Sequence, residues 1–154
     1  MQQKATKITS YNDNANNLFI VFEDAIYMKK IRLFANHVDN TCPVYFFLDL
    51  GVAFTIMVDM FRGIPIERHI EAFGQTKEGK PVARRLKIYD CAYGYNVPKG
   101  SYMFNVLNCE GERDEEGRVV GFVDGTGWEV FIPIPKEDAR DLAAAVLMRM
   151  ITGL

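Results

Sequence analysis

At 154 residues, 49% of them hydrophobic and 25% charged, the chain can bury one sizeable core and reads as a single domain rather than a disordered segment. Its formal net charge of −2 excludes a bulk electrostatic pull toward nucleic acid, so any such binding must come from local patches. Three cysteines, Cys42, Cys91 and Cys109, are an odd number with no close pair, which argues against a disulfide framework or a zinc knuckle and for a reduced, cytoplasmic setting.

Residues 1–17 are polar, rich in Gln, Thr and Asn, and lack the apolar stretch of a signal peptide. They are expected to be a flexible tail preceding a domain at 18–154. Leu18 to Phe22 reads as a short strand, Glu23-Asp24-Ala25 as a turn, and Ile26 to Ala35 as a longer strand carrying Lys29, Lys30 and Arg32. After loop chemistry from His37 to Pro43, the apolar run Val44 to Leu48 predicts a strand covered on both faces. Asp49 and Asp59 interrupt the most hydrophobic window, which fits a strand leading into a helix rather than a membrane span. With Asp49 as N-cap, that helix carries Thr55, Asp59 and Arg62 as one polar stripe and is expected to be largely buried up to Gly63.

Ile64 to Gly79, with Pro65, Gly74 and Gly79, predicts a connection between two halves, with a short helical turn near Glu67 to Phe73. Val82 to Tyr89 alternates so that Ala83, Arg85, Lys87 and Tyr89 share one face and Val82, Arg84, Leu86 and Ile88 the other. A loop bearing Tyr93 and Tyr95 leads to a strand over Ser101 to Asn108. Asp124-Gly125 predicts a hairpin between strands Val119 to Val123 and Trp128 to Ile134. The last helix starts at Pro135 and places Ala139, Leu142, Ala143, Val146, Leu147 and Met150 on one stripe before Gly153. Strands followed by a helix therefore occur twice, over about 18–75 and 76–154, giving an α+β class of two β-β-β-β-α repeats whose antiparallel sheets pack on two amphipathic helices.

Charge is segregated along the second half. Lys77, Lys80, Arg84, Arg85 and Lys87 stand against Glu78 alone, whereas Glu110 to Arg118 holds five carboxylates against two arginines and reads as a solvated acidic loop. His37 and His69 show no metal-ligand spacing to the cysteines, and no nucleophile elbow, phosphate-cradling loop or dinucleotide fingerprint occurs. The expectation is a protein that is not an enzyme and has neither catalytic residues, metal nor cofactor.

The run Gly74, Lys77, Gly79, Lys80 and Arg84-Arg85-Leu86-Lys87, and the junction Val130-Phe131-Ile132-Pro133-Ile134-Pro135-Lys136-Glu137, resemble segments of the second repeat of the Whirly family. The repeated strands-then-helix order is also similar to that of trypanosomatid guide-RNA-binding proteins and single-repeat positive-cofactor-four coactivators. The resemblance implies sequence-tolerant binding of single-stranded DNA or RNA across sheet surfaces, DNA being favoured, in a replication, recombination or repair role. It also implies a homo-oligomer, a tetramer in Whirly proteins, with a dimer the simpler alternative. Such binding needs a cationic track and exposed aromatic rings. Lys29, Lys30, Arg32, Lys77, Lys80, Arg85 and Lys87 are the candidate track, and Tyr89, Tyr93 and Tyr95 the candidate platforms. Tyr27, Tyr102 and Trp128 are further aromatic candidates, for which core packing is the competing expectation. A non-catalytic protein-interaction module of the same fold is the alternative function. Apolar residues in excess on both helices, Ala145 and Met148 included, point to helix-mediated assembly.

Overall fold

The computed structural model describes residues 4–40, 42–91 and 100–153. Strict alternation shapes the first half. Strands β1 (Thr6–Asp13), β2 (Leu18–Ala25), β3 (Lys30–His37) and β4 (Val44–Asp49) form an antiparallel meander, sheet A, in sequence order. Leu18, Ile20 and Phe22 of β2, Ile31, Leu33 and Ala35 of β3, and Val44, Phe46 and Leu48 of β4 are buried, because side chains two apart share a face.

β1 lies where the sequence suggests a flexible tail. Its residues are mostly polar, but the backbone pairs along β2 from Thr6 opposite Asp24 to Asp13 opposite Leu18, and Ile8 and Tyr11 pack on the core. Backbone pairing with few apolar anchors leaves little hydropathy signal. The first reversal also differs. β2 continues through the expected turn at 23–25, and the chain reverses in a one-turn 3-10 helix, Ile26–Met28. The Asp24 carboxylate accepts the Ile26 N–H at 2.8 Å, and Lys29 closes the turn in the left-handed region at φ 59°.

β4 runs into helix α1 (Leu50–Arg62). Asp49 occupies the N-cap position, but its carboxylate pairs with Lys30 on the neighbouring strand instead of capping the helix. Gly63 ends the helix at φ 68°, a conformation that favours glycine. Ala53, Ile56, Met57 and Met60 enter the core, while Phe54 and Phe61 remain 46% and 41% exposed. The helix is therefore not largely buried as expected: one face meets the core, and a second apolar stripe through Phe54, Val58 and Phe61 points away from it.

The second half is sheet B: β5 (Glu67–Gln75), β6 (Pro81–Cys91), β7 (Ser101–Arg113), β8 (Val119–Phe122) and β9 (Trp128–Pro135), followed by helix α2 (Lys136–Thr152). β5 replaces the expected connection and helical turn. Its period is two, with Arg68 and Ile70 on one face and Glu67, His69 and Glu71 on the other. β8 and β9 are both antiparallel to β7, so they run in the same direction. Asp124-Gly125 thus lies in a loop between two strands on one neighbour, not in the expected hairpin between them. The hairpin is β7–β8, where Asp114 accepts the N–H groups of Glu116 and Arg118 at 2.9 Å and Gly117 sits at φ 82°. The acidic segment is thus the tip of that hairpin.

Both sheets and both helices contribute to one core. Phe22 of sheet A meets Phe104 of sheet B edge to face, with ring centroids 6.1 Å apart. Tyr102 is fully buried, so core packing prevails over a platform role, and its hydroxyl donates to the Ile64 carbonyl at 2.6 Å. The side chain of Asn108 both accepts the Tyr45 N–H and donates to the Tyr45 carbonyl, each at 2.8 Å. This amide pairs with β4 as another backbone strand would, fastening the edge of sheet A to β7. Among the described residues, no helix is long and apolar enough to cross a membrane.

Candidate nucleic-acid interface

The candidate cations divide between the outward face of sheet B, the outward face of sheet A and the β5–β6 connection. Arg85, Lys87 and Tyr89 share the outward face of β6, as alternation predicts, and line an open groove of about 790 Å³ with Glu67, Arg68, His69, Asn105, Glu129 and Phe131. Cross-strand pairing changes its electrostatics. Glu67 lies opposite Tyr89, Glu71 opposite Arg85, and Glu129 opposite Leu107 in the same row as Arg85. Arg85 donates to Glu129 at 2.8 Å and His69 lies 3.2 Å from Glu71. The face read as basic and aromatic is therefore mixed in sign, and the candidate cation Arg85 is already neutralised within it. Burial raises the Tyr89 hydroxyl above its ordinary pKa, helped by Cys91 and Glu129.

The second group lies on the outward face of sheet A. Lys30 pairs with Asp49, and Lys29 is exposed at the 3-10 turn. Arg32, with its side chain 30% exposed, donates to Glu23 at 2.6 Å and stacks over the Tyr45 ring at 5.3 Å. The Glu23 hydrogen bond raises its pKa further. Lys77 and Lys80 are exposed on the β5–β6 hairpin, and Lys77 lines a recess of about 500 Å³ with Lys4, Tyr27, Met28, Arg32 and Phe47. Tyr27 is 47% exposed there, an available ring. Tyr93 and Tyr95 lie outside the described residues.

The same face carries rings that the sequence reading did not select. Tyr45 and Phe47 are half-buried, so β4 is covered on one face only, not both. Phe19 meets Phe34 at 6.1 Å and Phe34 meets Tyr45 at 5.7 Å, which gives a band across β2, β3 and β4 that ends in the Arg32 guanidinium. Each such cation–ring contact contributes about 0.5–1 kcal/mol where exposed. The signal is present in the sequence: Phe19, Phe34, Tyr45 and Phe47 all occupy the outward parity of their strands.

Arg84 closes this surface. On β6 it faces inward, opposite Ala72 and Asn108, but β4 ends sheet A here, and the Arg84 guanidinium lies 5.6 Å over Phe47. Burial lowers its pKa, partly offset by Tyr45, yet an arginine stays charged at neutral pH. Trp128 is the cross-strand neighbour of Asn108 on that row and is 45% exposed, contrary to core packing. The outward face of sheet A and the end of sheet B thus meet in a corner lined by Tyr45, Phe47, Trp128 and Arg84.

No protein-family model, curated protein or solved structure matches this chain. Among the described residues, no cluster of three or more His, Cys, Asp or Glu side chains could hold a metal ion.

Proposed function

We propose that the protein binds single-stranded nucleic acid without strong sequence preference, through the outward face of sheet A and the corner it makes with sheet B. The observation that carries this reading is the joined series of half-buried rings Phe19, Phe34 and Tyr45, with Phe47 on the same face of β4 and guanidinium groups over Tyr45 and Phe47. Rings on a sheet surface accept bases of any sequence, each stack contributing roughly 1–3 kcal/mol, and nearby cations hold phosphates. The succession of two sheet-plus-helix units is consistent with a Whirly-like packing. The test is a fluorescence titration with dT and rU oligonucleotides, single- and double-stranded, at low and moderate salt. Binding that is strongest for single strands and weakens with salt supports the proposal; no binding at low salt contradicts it.

Assembly with copies of the same chain is part of the proposal. Phe54 and Phe61 on α1, and Met148 and Ile151 on α2, are exposed on helices that pack together. A dimer is the simplest closed form, with a tetramer the form suggested by the Whirly resemblance. Light scattering during size exclusion decides this: a mass near 17.5 kDa would leave the chain a monomer.

The division of cations between two faces favours a second reading, a protein-interaction module without nucleic-acid binding. Its support is the outward face of sheet B, where Glu67, Glu71 and Glu129 offset Arg85 and Lys87. A mixed-sign face of this kind suits a protein partner better than a phosphate chain.

A further inference from the structure

The geometry points to Arg84 as a dedicated oxyanion site, one that holds a phosphate of the bound strand at the corner between the sheets. The inference rests on the nucleic-acid reading for its ligand, but the site itself rests on three observations.

The first is the missing counter-charge. The cross-strand neighbours of Arg84 are Ala72 and Asn108, both uncharged, and the Asn108 amide is committed to the Tyr45 backbone. No carboxylate pairs with Arg84 among the described residues; its Nε, like that of Arg85, is buried without a hydrogen-bond partner, but Arg85 has Glu129 and Arg84 has no such anion. Arg32, Arg85, Arg118 and Arg149 each have a carboxylate; Arg62, Arg113 and Arg140 have none among the described residues but are exposed to water, whereas Arg84 is partly buried. A partly buried guanidinium left without an anion is costly to the fold, and such groups are normally paired.

The second observation is orientation. The guanidinium lies 5.6 Å over the Phe47 ring, a contact that favours this placement of the planar fork before any ligand arrives. A planar fork of this kind matches two oxygens of a phosphate. The third is location: Trp128, 45% exposed, stands two strands away on the Arg84 row, with its indole free to take a base. One bound nucleotide can therefore place a phosphate on Arg84 and a base on a neighbouring ring.

The test combines two variants with a direct observation of the parent protein. Arg84→Met removes the charge and keeps the length; Arg84→Lys keeps the charge and loses the fork. For a dT oligonucleotide, Arg84→Met is expected to weaken binding about 10- to 100-fold, the range for one charge-assisted hydrogen-bonded contact. The log–log salt slope should flatten by roughly 0.7, one phosphate contact on a single strand. Arg84→Lys should keep the slope and recover only part of the affinity. Arg84→Met should melt at or above the parent temperature, because an uncompensated, partly buried charge has been removed. A residue with only a structural role would instead lower both together.

In parallel, the Arg84 Nε–H resonance of the parent is followed during titration with inorganic phosphate and with the oligonucleotide. A shift with both supports the site and its ligand. A shift with phosphate alone keeps the oxyanion site and overturns the nucleic-acid reading. Parent affinity and parent salt slope in Arg84→Met, or an unmoved Nε–H resonance with both titrants, would overturn the inference even if the protein binds single strands elsewhere.

Discussion

The outward faces of the two sheets use similar residues to opposite effect. On sheet B, Arg85 is held by Glu129 at 2.8 Å, and Glu67 and Glu71 arrive from β5 beside it, while Lys87 lies between His69 and Asn105. On sheet A, the carboxylates Glu23 and Asp49 are consumed by Arg32 and Lys30, and the remaining surface is rings, ending at Arg84 with no carboxylate partner among the described residues. A basic strand therefore does not make a basic surface. What matters is which side chains arrive from the neighbouring strands, and how many charges are left after local pairing.

The largest effect is expected where the two surfaces join. Asn108→Ala removes both hydrogen bonds to Tyr45 and leaves a backbone donor and acceptor without protein partners. The expected loss is about 2–6 kcal/mol, read as a fall in the urea midpoint, at roughly 1–3 kcal/mol for each of the two unsatisfied groups. A loss under about 0.5 kcal/mol, the ordinary range of a surface change, would mean that the corner is held by other contacts.

Next comes the contrast between the faces themselves. Phe47→Leu keeps apolar bulk and removes one ring, so binding to a dT oligonucleotide should weaken by about 1–3 kcal/mol with little loss of stability. Lys87→Ala on sheet B should change binding by less than about 1 kcal/mol. Equal effects in the two titrations would erase the distinction between the faces.

Tyr102 carries a titratable group into the core between the two sheets. Burial, with Asp90 and Asp59, pushes its hydroxyl up to about 12 from an ordinary 10.0. A raised pKa means that the folded state prefers the neutral phenol, so this stabilisation is complete below about pH 10 and is lost as pH rises toward about 12. Tyr102→Phe should cost about 1 kcal/mol near neutral pH through the lost bond to Ile64 and should remove this alkaline component. Denaturation midpoints of both proteins at about pH 8 and about pH 11 check this: parallel losses would show that the phenol does not govern it.

Much of the fold is legible in the sequence because hydrophobic period is a local property. The Val82 to Tyr89 strand and the last helix follow from alternation and from the 3.6-residue stripe, and the succession of strands and helix in each half is legible in the same way. β1 escapes such a reading because its polar residues are held by backbone pairing with β2, which leaves no apolar pattern. β5 escapes it because Pro65, Gly74 and Gly79 mask the alternation between them. The site is less legible than the fold. Arg85, Lys87 and Tyr89 do share a face, but Glu129 reaches it from 44 residues away in the chain. Alternation puts Arg84 on the core side with Leu86 and Ile88, and only the end of sheet A at β4 leaves it at a surface.

The most direct test of sheet A as the binding face is backbone and indole NMR of the labelled protein during titration with a dT oligonucleotide. The largest shifts are expected at Arg32, Phe34, Tyr45, Phe47 and Arg84 and at the indole of Trp128, the single tryptophan. Shifts confined to His69, Lys87, Asn105 and Phe131, with sheet A unmoved, would contradict sheet A as the binding face.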